Sequence, residues 1–227
     1  MRKILVAFGV LSIALVMGSE AQAGTVQLTS ASELSASDTT LGFTGTFGAP
    51  LASPLSYTAG TNTLTFADTG GTFEVDQVGT NYFATSFATG TNILYAAGFQ
   101  GGAAPITMNF ANAVTEFGFN AEEFAGGPYT MSFTAFDGAT DLGTFTATGC
   151  DPVTTCTPSG GTLSFEGLQV NGGEGITSVK ISDSDGNNIA LGPITFGGTP
   201  SVPEPSSLAL LSIALVGLGL TLQRKLA

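Results

Sequence analysis

Tyr129-Thr130-Met131-Ser132-Phe133-Thr134-Ala135-Phe136-Asp137-Gly138 decides the fold. In an extended chain Tyr129, Met131, Phe133 and Ala135 fall on one side and Thr130, Ser132 and Thr134 on the other. Asp137-Gly138 then supplies hairpin-turn chemistry, and a second strand resumes from Leu142 to Thr148. The same period of two recurs upstream, where Ile106, Met108 and Phe110 alternate with Thr107 and Asn109. Leu64 with Phe66, Leu163 with Phe165, and Val179 with Ile181 read as further core-facing pairs. Gly60-Thr61-Asn62, Gly79-Thr80-Asn81 and Gly90-Thr91-Asn92 are unequally spaced, so they read as turns between strands rather than repeats. Nothing between the chain's two apolar ends sustains a helical period. About ten to thirteen short strands, each with one apolar face, bury those faces most economically as two sheets packed together. The expected fold is all-β: an antiparallel two-sheet sandwich, jelly-roll-like, around a phenylalanine-rich core.

The 227 residues suit one domain with targeting segments, and 32 glycines with 17 phenylalanines fit a β-rich chain. Residues 24–202 hold fifteen of the seventeen acids against Lys180 alone, a net charge of −14. Such a body repels phosphate, which excludes nucleic acid as a partner. With no histidine, no Ser/His/Asp or Cys/His nucleophile and no His-bearing zinc site can form. With no tryptophan, a sugar-stacking platform would fall to Tyr57, Tyr82 or Tyr95. The composition points away from an enzyme.

The two ends read as addresses. Met1-Arg2-Lys3, an apolar run from Ile4 to Met17, and Ala21-Gln22-Ala23 have the charge, length and small-residue site of a signal peptide cleaved after Ala23. At the other end, Val202-Pro203-Glu204-Pro205-Ser206-Ser207 precedes an uncharged run from Leu208 to Leu222, then Gln223-Arg224-Lys225-Leu226-Ala227. Fifteen helical residues rise about 22 Å against a hydrocarbon core of about 30 Å, so this is a short transmembrane helix whose flanks must contribute. Arg224 and Lys225 stay cytoplasmic by the positive-inside bias, leaving the acidic body outside. Pro203 and Pro205 block helix and sheet alike, so the segment between body and bilayer is extended.

These last residues, in this order, closely resemble the PEP-CTERM sorting signal of Gram-negative bacteria. The resemblance implies recognition at Val202, Pro203, Glu204 and Pro205 by an exosortase-type membrane enzyme that cuts nearby. It also implies a transient anchor at Leu208–Leu222, with Arg224 and Lys225 as the membrane stop. Proteins bearing this signal are typically associated with exopolysaccharide and biofilm production. Phe117-Gly118-Phe119-Asn120, with the runs Tyr129–Asp137, Leu142–Thr148 and Ile176–Phe196, resembles the β-sandwich bodies often attached to it. The expected organisation is a signal peptide at 1–23, a loose Ser-rich leader at 24–40, and the sandwich at 41–197. A linker with the motif follows at 198–207, then the helix at 208–222 and a basic tail at 223–227.

Within the body, Cys150 and Cys156 are the only cysteines, and export makes them a disulfide closing a small loop. Glu74 and Asp76 alternate on one strand face about 7 Å apart, the separation a glycosidase pair can use. The third acid that laminarinase-like jelly rolls place after such a pair is replaced by Gln77-Val78-Gly79, and solvent-facing carboxylates on an edge strand explain the same residues. Glu122-Glu123 reads as a solvated loop pair. Asp183-Ser184-Asp185-Gly186 begins like a Ca²⁺ loop but lacks the closing glutamate, leaving Asp183 and Asp185 as weak candidates for a structural Ca²⁺. Gln100-Gly101-Gly102 has no strand-to-helix context for a nucleotide. The expected role is structural or adhesive at the cell surface or in the extracellular matrix, in contact with exopolysaccharide. A glycan-binding module is the alternative, and a hydrolase using Glu74 and Asp76 ranks third.

Overall fold

The computed structural model describes residues 24–68, 71–82, 85–97, 105–123, 127–151, 156, 161–183 and 188–198. The signal peptide with Ala21 and Ala23, Gln100-Gly101-Gly102, Asp185, the sorting motif, the transmembrane run and Arg224 with Lys225 lie outside them. Among the described residues no helix is long and apolar enough to cross a membrane.

One sheet contains β1 (Thr25–Leu28), β2 (Thr39–Leu41), β3 (Pro50–Leu51), β6 (Thr72–Gln77), β7 (Asn92–Ala97), β9 (Glu116–Glu123), β12 (Ser164–Val170) and β14 (Ile189–Gly197). The other contains β4 (Leu55–Ala59), β5 (Asn62–Asp68), β8 (Ile106–Val114), β10 (Gly127–Asp137), β11 (Thr140–Asp151) and β13 (Ile176–Asp183). All named strand pairs are antiparallel. The first sheet runs β1-β12-β9-β14-β7-β6-β3 with β2 beside β14, and the second runs β11-β10-β13-β8-β5-β4. From β7 onward nearly every connection crosses between sheets, as a two-sheet sandwich requires.

The alternation seen in the sequence builds the core. Tyr129, Met131, Phe133 and Ala135 are buried, as are Ile106, Met108 and Phe110, and they meet Phe117, Phe119, Ala121 and Leu191 of the facing sheet. Phe133 stands edge-on to Phe117 with ring centroids 6.1 Å apart, tying the sheets at the centre.

Three expectations are corrected. Residues 24–40 are no loose leader: β1 pairs with β12 along its whole length, β2 pairs with β14, and a 3-10 turn at Ala31–Glu33 lies between them. In β12 the sides are reversed, because Ser164, Glu166, Leu168 and Val170 are the buried set while Leu163 and Phe165 are only half-buried on the opposite face. Glu122 and Glu123 are not solvated; they end β9 and are 0% and 4% exposed.

Candidate functional site

The strand directions sort the chain's exits from its loops. Asn171 N–H donates to Gly24 O at 3.0 Å, and Thr115 N–H donates to Gly197 O at 2.9 Å, so the beginning and end of the described body emerge together. At the opposite end the registers gather Asp68, Ala97, Glu123, Asp151 and Asp183, the last residues of five strands. The described body therefore ends, before the sorting motif, on the same side on which it begins at Gly24.

Beside that exit is a cleft of about 320 Å³, lined among others by Asp38, Thr61, Asn112, Phe196, Gly197 and Gly198. Its wall is held by a reciprocal amide pair. Asn62 Nδ2 donates to Asn112 O at 2.7 Å, and Asn112 N–H donates to Asn62 Oδ1 at 2.9 Å. Asp38 packs against Gly197, where any Cβ would collide with its carboxyl. Burial raises the Asp38 pKa, and burial followed by the charge of Asp38 raises that of Glu116.

A second cluster lies on the outer face of the first sheet. Residues 78–82 and 85–91, between β6 and β7, fold over it and bury Val78, Tyr82 and Phe87 against Ile93, Tyr95 and Ala190. Glu122 fastens this cap: its Oε1 accepts from Ser86 N–H at 2.9 Å and its Oε2 from the Thr85 hydroxyl. Burial raises the Glu122 pKa, opposed by these bonds. The disulfide between Cys150 and Cys156, with Cα atoms 5.9 Å apart, sits nearby, and Ser86 Oγ donates to Cys150 O at 3.5 Å.

Glu74 and Asp76 do share one face of β6, opposite the buried Phe73 and Val75. They are not solvent-facing on an edge. β6 lies between β7 and β3, and Asp76 is 5% exposed and accepts a hydrogen bond from Asn81 Nδ2 in the cap. Burial raises both pKa values, with the Asp76 charge adding to the shift of Glu74. A glycosidase pair must flank an open substrate site, and this cap closes over Asp76.

The tyrosines proposed for glycan contact are also committed elsewhere. Tyr57 stands edge-on to Phe43 at 5.5 Å, and Tyr82 packs on Tyr95 at 5.8 Å within the cap cluster. Among the described residues no group of three or more acids or cysteines is placed to hold a metal. Asp183 ends β13, while Asp185 is outside the described residues.

Sequence reasoning missed the buried acids Asp68, Glu116, Asp151 and Glu166, of which Glu166 is the most deeply buried. Glu166 faces the core opposite Phe119 and is 0% exposed, with Ser164 Oγ donating to its Oε1 at 2.7 Å. Burial pushes its pKa up to about 8, so it is mostly protonated at neutrality. Its sequence signal was the apolar pair Leu168 and Val170, which shares its parity.

No curated protein and no solved structure matches the chain. Residues 201–225 match the family model of the PEP-CTERM protein-sorting motif. The chain thus carries, immediately beyond the end where its β body begins and finishes, the C-terminal sorting signal of an exported protein that is anchored in the membrane before processing and then reaches the surface.

Proposed function

We propose that the sandwich is a non-enzymatic structural or adhesive module of the cell surface or extracellular matrix, in contact with exopolysaccharide. An exosortase-type enzyme frees it from its membrane helix near Pro203-Glu204-Pro205. The observation that carries this reading is the common end of the two chain exits: a body tethered there stands away from the bilayer and presents its opposite end outward. The buried Asp76 and the occupied tyrosines favour this reading over a hydrolase or an aromatic sugar platform.

The test compares three strains of the native host: one making the intact chain, one stopping after Ser201, and one making none. The intact chain should remain cell-associated and support cell-to-matrix cohesion, whereas the truncated body should be lost to the medium and cohesion should fall. Equal cohesion in the strain making none defeats the adhesive role.

A further inference from the structure

Of the asparagines in the chain, Asn171 alone is followed by glycine. It opens the connection Asn171-Gly172-Gly173-Glu174-Gly175, which carries the chain from β12 in the first sheet to β13 in the second. The anchors of this connection lie on either side of the Asn171–Gly172 bond. Before it, Val170 N–H donates to Thr115 O at 2.8 Å and Asn171 N–H to Gly24 O at 3.0 Å. After it, Gly175 N–H donates to Asp137 Oδ2 at 3.4 Å. Between these anchors Asn171 and Gly172 are exposed, and Gly172 and Gly173 take φ of 88° and 91°, the left-handed region that glycine enters freely. Among the described residues neither the Asn171 side-chain amide nor the Gly172 N–H has a hydrogen-bond partner.

The other described asparagines are held. The side-chain amides of Asn62, Asn81, Asn92, Asn112 and Asn188 donate in turn to Asn112 O, Asp76 Oδ1, Phe43 O, Thr61 O and the Tyr95 hydroxyl. Asn109 and Asn120 stand within the ladders of β8 and β9. Each of these seven is followed by a residue with a Cβ, which crowds any approach of the next main-chain nitrogen to the side-chain carbonyl.

We propose that Asn171-Gly172 is a self-modifying site of the exported body, where water alone converts the side-chain amide into a carboxylate. Gly172 N loses its proton and bonds to Asn171 Cγ. The Cγ–Nδ2 bond breaks, and Nδ2 leaves with that proton as ammonia. Water then opens the five-membered imide. Breaking the bond from the imide nitrogen to Cγ leaves aspartate, and breaking the bond to the main-chain carbonyl carbon leaves isoaspartate, with the chain rerouted through Cβ and Cγ. In sum, one amide and one water give one acid and one ammonia, with neither enzyme nor oxidant. The structure favours the first step because the attacking N–H surrenders no acceptor, the amide surrenders no donor bond, and the two groups are neighbours on one chain. The product adds a negative charge where the described body begins and ends, and isoaspartate also lengthens the β12–β13 connection by one main-chain carbon. The anchoring hydrogen bonds survive, because none of their groups reacts. The proposal does not depend on the surface role above.

The test is peptide mass spectrometry of the full chain held in mild detergent at neutral pH. Cleavage after Glu166 and Glu174 isolates Gly167–Glu174 around the site. This peptide should gain about 1 Da over time and split chromatographically into aspartate and isoaspartate forms. Incubation in heavy-oxygen water should place one heavy oxygen in each. Asn171 should convert about tenfold or more faster than Asn62, Asn92 or Asn112 in the same sample. Gly172→Ala should slow the conversion by about tenfold or more. Asn171→Gln, whose ring closure needs six members, should leave the peptide unchanged. An Asn171 that stays intact in the folded chain while the synthetic Gly167–Glu174 peptide converts overturns the proposal, as does conversion of the hydrogen-bonded asparagines at an equal rate. Should the alanine variant misfold, the glutamine variant decides, and a mass gain in its peptide at the wild-type rate contradicts the site.

Discussion

Gly118 of β9 and Gly167 of β12 sit directly opposite each other, and the Phe165 ring lies across both. A Cβ on either glycine would stand 2.6 Å from that ring, and at Gly167 also 2.9 Å from Leu28 Cβ. The two glycines make a trough on the outer face, which explains how an aromatic residue turns away from the core yet remains half-buried. Gly118→Ala and Gly167→Ala should each lower stability by about 1 to 3 kcal/mol in chemical denaturation. Adding Phe165→Ala should recover part of the loss in either background. Additive losses would show that the ring is not what the glycines accommodate.

The cap over the first sheet depends on Glu122. Glu122→Ala removes the acceptor for Ser86 N–H and the Thr85 hydroxyl and should cost about 2 to 3 kcal/mol. Because the chain has no tryptophan, its fluorescence comes from four tyrosines, and two of them, Tyr82 in the cap and Tyr95 beneath it, belong to this cluster. Acrylamide quenching should rise, and proteolysis should concentrate within residues 78–91. Unchanged quenching in a destabilised variant would place the effect elsewhere.

Burial raises the pKa of Glu166, Glu122, Glu116, Asp76, Glu74 and Asp38 alike. For an acid whose folded pKa exceeds its unfolded value, the native state holds the extra proton. The stability gained is complete below the unfolded pKa and is lost as pH climbs through the folded one. For Glu166 that window runs from about 4.5 to about 8. The melting temperature should therefore fall as pH rises from 5 to about 8. Glu166→Gln, which stays neutral throughout, should flatten the profile and be the more stable form at the alkaline end. A wild type that stabilises steadily over this range would contradict the assignment.

What the sequence discloses follows from locality. Strands β8 and β10 have one face in the core and one toward solvent, so their alternation names both the element and its inner side. β12 breaks that rule because both faces are covered: Phe165 rests in the glycine trough while Glu166 enters the core beside Ser164. Apolar residues there mark cover without telling which side supplies it. Glu122 resembles a solvent-exposed acid until residues 85–91, more than thirty positions upstream, close over it. Residues 24–40 carry too few apolar positions to announce β1, whose place is fixed by its ladder with β12. The sorting motif was legible because it is a contiguous signal, and it is the part of the chain that a known family matches.

The most direct measurement is intact-mass analysis of the protein recovered from the surface of its native cells. The expected species begins at Gly24 and ends near Pro203-Glu204-Pro205, without Leu208–Ala227, with any added mass reporting what the new C-terminus is joined to. A surface protein that retains Ala227 as its last residue would contradict processing, and a cytosolic one that also retains Met1 would contradict export.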